Sequence, residues 1–348
     1  MKTMKNQFGV GDLLEEADVK GTIFASCTAC MSIYAEFLSW ANHPDNAGRV
    51  VKNPMEADNI VILSCQVTDL AVVNDLRTIE AYRREFPDRE YYVSGCLARR
   101  FDIPFEPWLK RLENIRRDGT YIEDRTLVRF EPPFWVQGYQ EKDSELADGH
   151  LFRNHYPFRI GVGCQGKCAY CTIRHTRGEP YEITATEEFD RAEDILLIAD
   201  SPSAQQLVFW MERAEEKGKQ IAIRNVEPHV ALRVWDRIER FAEKGLLTAI
   251  HCPVQAWKSQ TLLDMCRDPD VTHDLILRMS RLRGVVKATN IIRDYKGFFN
   301  DFGPIYDVFD YVSWNPYWDG KWDRQDAEDR FARYFPWTQQ RAVDGSAA

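Results

Sequence analysis

The sequence predicts an α/β protein of two successive units, an N-terminal parallel α/β domain followed by a partial β/α barrel. Short apolar runs alternate with helical stretches in residues 20–100, and the alternation returns in residues 153–320, where roughly six β/α units fit. Residues 101–152 between them are irregular and rich in Pro, Gly and charge, which is typical of a linker or surface excursion. We therefore expect domains at 1–100 and 153–325, a linker at 101–152 and a C-terminal tail at 326–348.

The first unit contains three apolar runs that predict strands, "GTIFAS", "DNIVILSC" and "REYYVSGC", with helical stretches "MSIYAEFLSWANH" and "DLAVVNDLRTIEAYRREF" between them. Cys30, Cys65 and Cys96 each end or follow one of these strands. Scattered cysteines are usually buried apolar thiols. However, strand ends of a parallel sheet gather at one edge, where ligands usually bind, so we expect these three cysteines, here the N-terminal triad, to converge.

The second unit contains six runs that predict barrel strands, with helical stretches such as "PHVALRVWDRIERFAEKG" and "VTHDLILRMSRLRG" between them. An active site is then expected at the C-terminal mouth of the strands. The six runs are "FRIGVG", "DILLIAD", "QIAIRNV", "LLTAIHCPVQ", "VVKATNIIRD" and "DVFDYVSW".

Composition narrows the class of protein. The chain has 348 residues and a formal net charge of −9, which lowers the expectation of non-specific nucleic-acid binding without excluding a local basic patch. No apolar run approaches the ~18 residues of a membrane span. The first residues lack a secretion signal, so we expect a cytoplasmic protein. Its nine cysteines, an odd number, then favour metal or cluster ligation over disulfides.

The segment "GVGCQGKCAYCTIRHTRG" holds three cysteines in the spacing C-x3-C-x2-C: Cys164, Cys168 and Cys171, here the barrel triad. Three thiolates bind three irons of a four-iron cluster and leave the fourth iron open for another ligand. The segment directly follows the first predicted barrel strand, which puts it at the mouth of the barrel. The alternative is a zinc site, which would need a fourth ligand such as His175.

This segment resembles the motif of the radical S-adenosylmethionine (SAM) superfamily, because the barrel triad matches its C-x3-C-x2-C and Tyr170 matches the aromatic that precedes the last cysteine. The resemblance implies a four-iron, four-sulfur (4Fe–4S) cluster whose open iron is chelated by SAM. It also implies cleavage of SAM to a 5′-deoxyadenosyl radical that abstracts hydrogen from carbon. A reductant such as flavodoxin or ferredoxin would be the partner.

The whole pattern is similar to the radical SAM methylthiotransferases. The segments "ACMSIYAEFL", "EADNIVILSCQVTD" and "YVSGCLARR" resemble the three N-terminal cysteine segments of that family, and "CAYCTIRHTRGE" and "IHCPVQAWKSQTLLDM" resemble later ones in the same order. The resemblance implies that the N-terminal triad holds a second 4Fe–4S cluster, whose open iron carries the sulfur for the substrate. Cys27 has no certain counterpart. It is open as an alternative ligand, a sulfur relay or a buried thiol, and we favour the buried thiol.

Several segments depart from the family pattern. The family's "NTC" is "LSC" here, "GQN" is replaced by "ADSPSA", and Trp257 follows "PVQ" where a small residue is usual. SAM-binding candidates nevertheless remain. Asp200 and Ser201 are placed to reach the methionine amino group of SAM, and Arg177 is placed to reach its carboxylate. Arg177 has a second interpretation, a surface ion pair with Glu179. The other two candidates are Tyr170 and, at the barrel mouth, Gln255.

The predicted function is radical sulfur insertion into a small molecule, such as a nucleoside or a peptide-derived metabolite, by an enzyme with two 4Fe–4S clusters and SAM. The RNA-binding domain of the family's transfer-RNA enzymes would not fit in the roughly 28 residues after 320, and the acidic charge also disfavours RNA. Three alternatives stay open. They are a methylthiotransferase acting on tRNA or a ribosomal protein, a radical SAM enzyme whose second cluster only relays electrons, and a zinc-binding scaffold that is not an enzyme.

Overall fold

The N-terminal unit is a four-stranded parallel sheet whose strands lie in chain order. The computed structural model describes residues 13–115 except 29 and 47, residue 152, residues 155–297 and residues 302–334. The strands are β1 (Ile23–Cys27), β2 (Asn59–Ser64), β3 (Glu90–Gly95) and β4 (Leu109–Arg111), connected across the first two gaps by helices α1 (Met31–Ala41) and α2 (Asp69–Glu85).

Helix α1 is buried on almost every side, and Glu36 is its only charged residue. A helix that is apolar all round belongs in the interior of a protein. Helix α1 accordingly packs against β2 of the N-terminal sheet and against the first strands of the barrel. Helix α2 begins after Thr68, whose side chain accepts a hydrogen bond from the backbone N–H of Ala71 and so caps the first turn.

The second unit is a six-stranded sheet in which every neighbouring pair is parallel and the strands again follow chain order, as expected of a partial β/α barrel. The α/β fold class with two parallel sheets is confirmed. The barrel strands are β5 (Tyr156–Arg159), β8 (Ile195–Ile198), β9 (Ile221–Arg224), β10 (Leu247–His251), β11 (Val286–Arg293) and β12 (Tyr311–Pro316), while β6 (Gly161–Val162) and β7 (Tyr181–Glu182) form a separate antiparallel pair.

Helices follow the barrel strands and cover the outside of the sheet. The longest, Ala204–Lys217, has a capping box at its start, in which the hydroxyl of Ser203 accepts from the N–H of Gln206 and the Gln206 side chain reaches back. The helices are α3 (Ile173–Thr176), α4 (Glu187–Arg191), α5 (Ala204–Lys217), α6 (Pro228–Arg233), α7 (Trp235–Glu243), α8 (Ser259–Asp264), α9 (Pro269–Arg281), α10 (Gly303–Val308) and α11 (Arg324–Tyr334).

The structure differs from the predicted boundaries in three places. Strand β4 lies in the stretch predicted as a linker, so the first sheet continues past residue 100, and most of the rest of that stretch lies outside the described residues. The run "FRIGVG" is two strands rather than one, because β6 turns away to pair with β7. The run "DVFDYVSW" begins in helix α10, and its strand starts only at Tyr311.

The predicted C-terminal tail begins as helix α11, which packs on α2 of the first unit. Phe331 and Ala327 lie in one apolar cluster with Leu70 and Val73, and Arg330 pairs with the buried Asp69 at 2.7 Å. The chain therefore returns to the N-terminal sheet after the barrel. The end "RAVDGSAA", predicted to be disordered, lies outside the described residues.

One hydrophobic core runs through both units. It joins side chains of α1, such as Phe37 and Trp40, to barrel residues such as Phe158 and Trp210. Since these side chains are at most 2% exposed, separating the units would expose large aromatic surfaces to water. Among the described residues, no helix has the length and apolarity that crossing a membrane requires.

Candidate cofactor-binding site

The N-terminal triad lies at the carboxyl edge of the first sheet. Cys30 is the residue that precedes α1, Cys65 directly follows β2, and Cys96 directly follows β3. All three line the same cavity. The backbone N–H of Cys65 donates to the buried carboxylate of Asp75 at 2.8 Å, which fixes the turn that presents this thiol.

Gly95 makes the sharp turn that presents Cys96. Its φ of +93° is in the region that favours glycine. A Cβ at this position would lie 2.5 Å from the carbonyl oxygen of Ser64, which is backbone of the neighbouring strand. The close approach of these two strand ends brings Cys65 and Cys96 to the same edge of the sheet.

The barrel triad lies on the loop between β6 and α3, and its three cysteines line the same cavity as the N-terminal triad. Gly163 starts this loop with a φ of +82°, and a Cβ there would lie 2.8 Å from Cα of Pro180. Within the loop, the N–H of Gly166 donates to Sγ of Cys164 at 3.2 Å. Such N–H···S contacts favour the thiolate form of a ligand.

The two triads therefore face one cavity of about 190 Å³ between the N-terminal sheet and the barrel mouth. No group of three His, Cys, Asp or Glu side chains among the described residues is arranged to hold a single metal ion. The thiolates of a 4Fe–4S cluster bind different irons, so they surround the cluster and do not converge on one point.

Several thiols of the two triads are buried where ionisation is costly. Burial raises the pKa of Cys96 to about 12, and burial together with the nearby Cys30 and Cys96 raises that of Cys65. Burial likewise raises the pKa of Cys171. A buried thiolate is costly unless positive charge stabilises it, and iron provides that charge when it replaces the proton. All six cysteines are free of disulfides.

Unpaired polar atoms on the cavity wall also fit a bound cofactor. Among the described residues, Oε1 of Gln255 and Oγ of Ser32 are buried without a hydrogen-bond partner. Both residues line the cavity. Buried polar atoms normally have partners, so a ligand with donor groups fits this wall. The donor set of the cavity is therefore compatible with two clusters and a polar organic cofactor.

Tyr170 and Gln255, two of the predicted SAM-binding residues, line the cavity. Gln255 has a φ of +70°, and its backbone bonds to β11 on both sides, through Asn290 and Ile292, which holds the side chain at the barrel mouth. The hydroxyl of Tyr170 accepts a hydrogen bond from Arg267 at 3.1 Å, and its burial raises the pKa of this phenol.

Asp200 and Ser201 point to different places. Asp200 lines the shared cavity, where its Oδ2 accepts from the N–H of Gly163 at 2.8 Å. Ser201 lines a second, outer cleft of about 690 Å³ beside the loop that carries the barrel triad. Its hydroxyl is close enough to Cys164 to lower the pKa of that thiol, although burial, the larger effect, raises it.

Arg177 lines the cavity, but its partners are not those expected. The surface ion pair with Glu179 is wrong as an account of its contacts, because the Arg177 side chain is only 1% exposed and pairs with Glu36 and Asp200. Glu36 lies on α1, 141 residues away, and receives both terminal nitrogens of Arg177. Arg177 therefore joins the barrel to the first unit.

Three other residues singled out in the sequence can be compared with the structure. Trp257 packs on the ring of His273 at a centroid distance of 4.5 Å and is not among the residues lining the shared cavity. His175, the residue that would close a zinc site, has its Nε2 3.1 Å from Nε of Arg174 and does not line the shared cavity either. Cys27 lies in the hydrophobic core, 5% exposed.

Sequence reasoning missed an ionic group beside the barrel triad. Arg267 lies 3.6 Å from Sγ of Cys168, pairs with Glu227 at 2.5 Å and donates to the carbonyl of Pro253. Burial alone would lower the pKa of Arg267, but Tyr170, Glu227 and Cys168 raise it above its usual value. The sequence contains no local signal for this group, since Arg267 is about a hundred residues from Cys168.

Part of the cavity wall consists of amides and aromatic rings. Asn315 contributes an amide that donates to Asn290 at 3.4 Å, and Asn290 in turn donates to Ser313 at 3.1 Å. Tyr317 and Trp318 also line the cavity. The aromatic segment after β12 therefore reaches the barrel mouth.

No family model matches the chain. Among curated proteins, the tRNA-2-methylthio-N(6)-dimethylallyladenosine synthase of Campylobacter curvus is 24% identical over 276 residues, covering 70% of this chain and 61% of that protein. The synthase of the same name from Helicobacter pylori strain G27 is 28% identical over 281 residues, covering 72% of this chain and 62% of that protein. The predicted resemblance to the methylthiotransferases is confirmed.

The chain thus spans about three fifths of the length of the curated relatives it matches, 61% and 62% for these two. The relatives are enzymes, in agreement with the prediction of a methylthiotransferase-like enzyme for this chain. Among solved structures, the radical S-adenosylmethionine methyltransferase TsrM from Kitasatospora setae, with cobalamin and a [4Fe-4S] cluster bound, is similar with a TM-score of 0.45 and 11% identity, over 79% of this chain and 69% of that one.

Proposed function

We propose that this chain is a radical SAM enzyme with two 4Fe–4S clusters that forms a C–S bond on a small-molecule substrate. The observation that carries the proposal is the single cavity lined by both cysteine triads. A sulfur donor and a radical generator must act on the same carbon, so both should face the same cavity, as the two triads do. The continuous core between the units supports the same conclusion.

The barrel triad would hold one cluster and the N-terminal triad the other. Together with SAM, the group held by the barrel triad would supply the chemistry that makes a radical able to remove hydrogen from a substrate carbon, and the group held by the N-terminal triad would supply the sulfur. The protein's own residues bind, orient and exclude water. Arg267 supports the loop of the barrel triad through its hydrogen bond to Tyr170, and Gln255 would offer an unpaired oxygen to a donor group of the bound cofactor.

The substrate would lie against the part of the cavity wall that the amides and aromatic rings form. Asn290 and Asn315 offer donors and acceptors but no charge, and Tyr317 and Trp318 offer ring faces. Neutral amides beside aromatic rings suit a planar polar group such as a nucleobase or a peptide amide. The net charge of −9 is also more easily reconciled with a small substrate than with a polyanion.

The proposal includes a reducing compartment and an external reductant. All nine cysteines are free, which agrees with the cytoplasm, where thiols stay reduced. An electron from a partner such as flavodoxin or ferredoxin would start each cycle.

The test begins with anaerobic reconstitution. We expect about eight irons per chain, and about four after replacement of either triad by alanine. With SAM and a strong reductant, 5′-deoxyadenosine should form in the variant that lacks the N-terminal triad and not in the variant that lacks the barrel triad. The control is Cys266→Ala, since Cys266 is exposed and lines only the outer cleft, and it should keep both clusters.

Sulfur insertion is tested separately, by mass spectrometry of products made with sulfide labelled with a heavy sulfur isotope. Candidate nucleosides and peptides should yield a product whose mass carries the label. A product without new sulfur would instead support the relay of electrons by the second cluster. Zinc without iron after reconstitution would support the scaffold that is not an enzyme.

A second candidate function is favoured by the names of the relatives, which act on tRNA. On that alternative this chain would place an RNA nucleoside in the same cavity. Its binding would depend steeply on salt.

A further inference from the structure

Four buried charged side chains connect the two units beside the cavity. Arg177 forms a bidentate pair with Glu36, and its Nε donates to Asp200 at 2.9 Å. Arg159 of strand β5 donates to the same glutamate at 3.2 Å. The side chains of Glu36, Arg159 and Arg177 are each 1% exposed and that of Asp200 is 4% exposed. Ion pairs this deeply buried are costly to form, so chance is a poor explanation of them.

Each partner of the central pair lies on, or directly after, a helix that begins close to a cysteine of the site. Glu36 lies on α1, which starts directly after Cys30. Arg177 follows helix α3, which starts two residues after Cys171. The pair therefore connects an element of the N-terminal triad to an element of the barrel triad and holds the two at a fixed separation.

Arg177 also places positive charge at the N-terminal triad. It lines the cavity together with the three cysteines of that triad. The Arg177 side chain is only 1% exposed, so its charge is poorly screened by water. Arg177 is thus a buried cation that faces the same cavity as the thiols of this triad.

We propose that the Glu36–Arg177 pair is a positioning device that holds the two triads together and sets the reduction potential of the cluster on the N-terminal triad. This inference rests on the proposed function, because it assumes that the triad holds a cluster. Positive charge near a cluster stabilises its reduced form, and negative charge stabilises its oxidised form. The two partners of the pair must therefore act with opposite sign.

The experiment measures the potential of the N-terminal cluster by itself. The chain carries C164A, C168A and C171A, so that only this cluster assembles, and its EPR signal is followed during a redox titration. Arg177→Gln should shift the midpoint to more negative values, and Glu36→Gln should shift it to more positive values. We expect each change to alter the ratio of oxidised to reduced cluster at a fixed potential about tenfold, or about 59 mV for a one-electron couple.

Three further variants separate charge from structure. Arg177→Lys keeps the charge and should restore a midpoint near that of the unsubstituted chain. The double variant with both glutamines removes the pair without a change in net charge and should also lie close to it. Arg213→Gln breaks a surface ion pair with Asp190 and Glu216 and should leave the midpoint unchanged.

The outcomes distinguish this inference from the proposed function. If the chain without the barrel triad takes up no iron, the second cluster of the proposed function fails. If it takes up about four irons but the two single variants shift the midpoint in the same direction, or not at all, only the present inference is overturned. Iron lost from both single variants with the fold retained supports the positioning role. Loss of the fold in both overturns it, since the pair would then be purely structural.

Discussion

Single residues at the ends of strands determine whether distant thiols meet. Gly95 is the sharpest example, because its left-handed turn carries Cys96 to within reach of Cys65, and no side chain fits between it and Ser64. The sequence shows the glycine before Cys96, but it does not show that the carbonyl oxygen of Ser64 lies against this glycine.

We expect Gly95→Ala to destabilise the chain by about 2–4 kcal/mol, through backbone strain and the clash with Ser64. Displacement of Cys96 should also lower the iron content from about eight to about four per chain, while 5′-deoxyadenosine formation persists. Urea denaturation and iron analysis measure the two effects.

The matched control is Gly218→Ala, at the end of α5, where φ is also positive at +63° but no atom lies within 4 Å of the added Cβ. This variant should cost only about 1 kcal/mol and keep all its iron. An unchanged iron content in Gly95→Ala would contradict the role of this turn in presenting Cys96.

At the same scale, candidate site residues are easiest to recognise in a sequence when their chemistry is rare and their spacing is local. The barrel triad lies within eight residues, so its pattern is recognisable without a structure. Glu36 and Arg267 were missed because their partners lie 141 and about a hundred residues away. The lone charge of Glu36 in an otherwise uncharged helix was a signal that could have been used, since such a charge needs a buried partner.

At the scale of elements, apolar periodicity predicted most strands and helices, because burial imposes it directly on the sequence. It failed for β4, because this strand has only three residues, two of them charged, and so shows no apolar pattern. Its pairing with β3 is visible only in the structure. It also failed to separate α10 from β12, since no Gly or Pro marks a break within "DVFDYVSW". Helix α11 was missed as a packing element because only two of its residues are buried.

The contact of α11 with α2 depends on a buried carboxylate and predicts a pH dependence. Burial raises the pKa of Asp69 to about 6, although Arg330 opposes this effect. A carboxyl whose pKa is higher in the folded state stabilises the fold most at low pH, and this contribution is lost as pH rises from about 4 to about 6. With a shift of about two units, Asp69 accounts for a loss of about 3 kcal/mol over that range.

Arg330→Gln should therefore destabilise the chain more at pH 8 than at pH 5. At pH 8 the ionised Asp69 loses its partner, at a cost of about 2 kcal/mol, whereas at pH 5 Asp69 is mostly protonated in the folded state and needs the partner less. Urea denaturation at both pH values measures the difference.

The control is Arg324→Gln, which breaks a pair with Glu80 whose side chains are both more than half exposed. This change should alter stability by no more than about 0.5 kcal/mol. Equal destabilisation by Arg330→Gln at both pH values would contradict this account.

At the scale of the whole molecule, the two units share one core and one cavity, although each has its own sheet. The order of the units was predictable from the two blocks of strands and helices. Their close association was not, because it depends on the burial of α1 between them and on Arg159 and Arg177 meeting Glu36. The site is therefore a property of the assembled chain and of neither unit alone.

The charge of the whole chain leads to a test that distinguishes a small substrate from RNA. Binding to a polyanion releases counterions, so the affinity of an RNA-binding protein falls steeply as salt rises. With a net charge of −9, this chain should bind tRNA no more tightly than about 10⁻⁴ M at physiological salt. Its affinity for tRNA, measured by fluorescence anisotropy, should change little between about 50 and 200 mM salt.

Incubation with heavy-sulfur sulfide then compares tRNA with free nucleosides and peptides, and we expect the label only in the small molecules. Steep salt dependence together with labelled tRNA would contradict the small-molecule proposal and favour the activity named for the relatives. Salt-dependent binding without label would show an electrostatic contact that leads to no reaction on RNA.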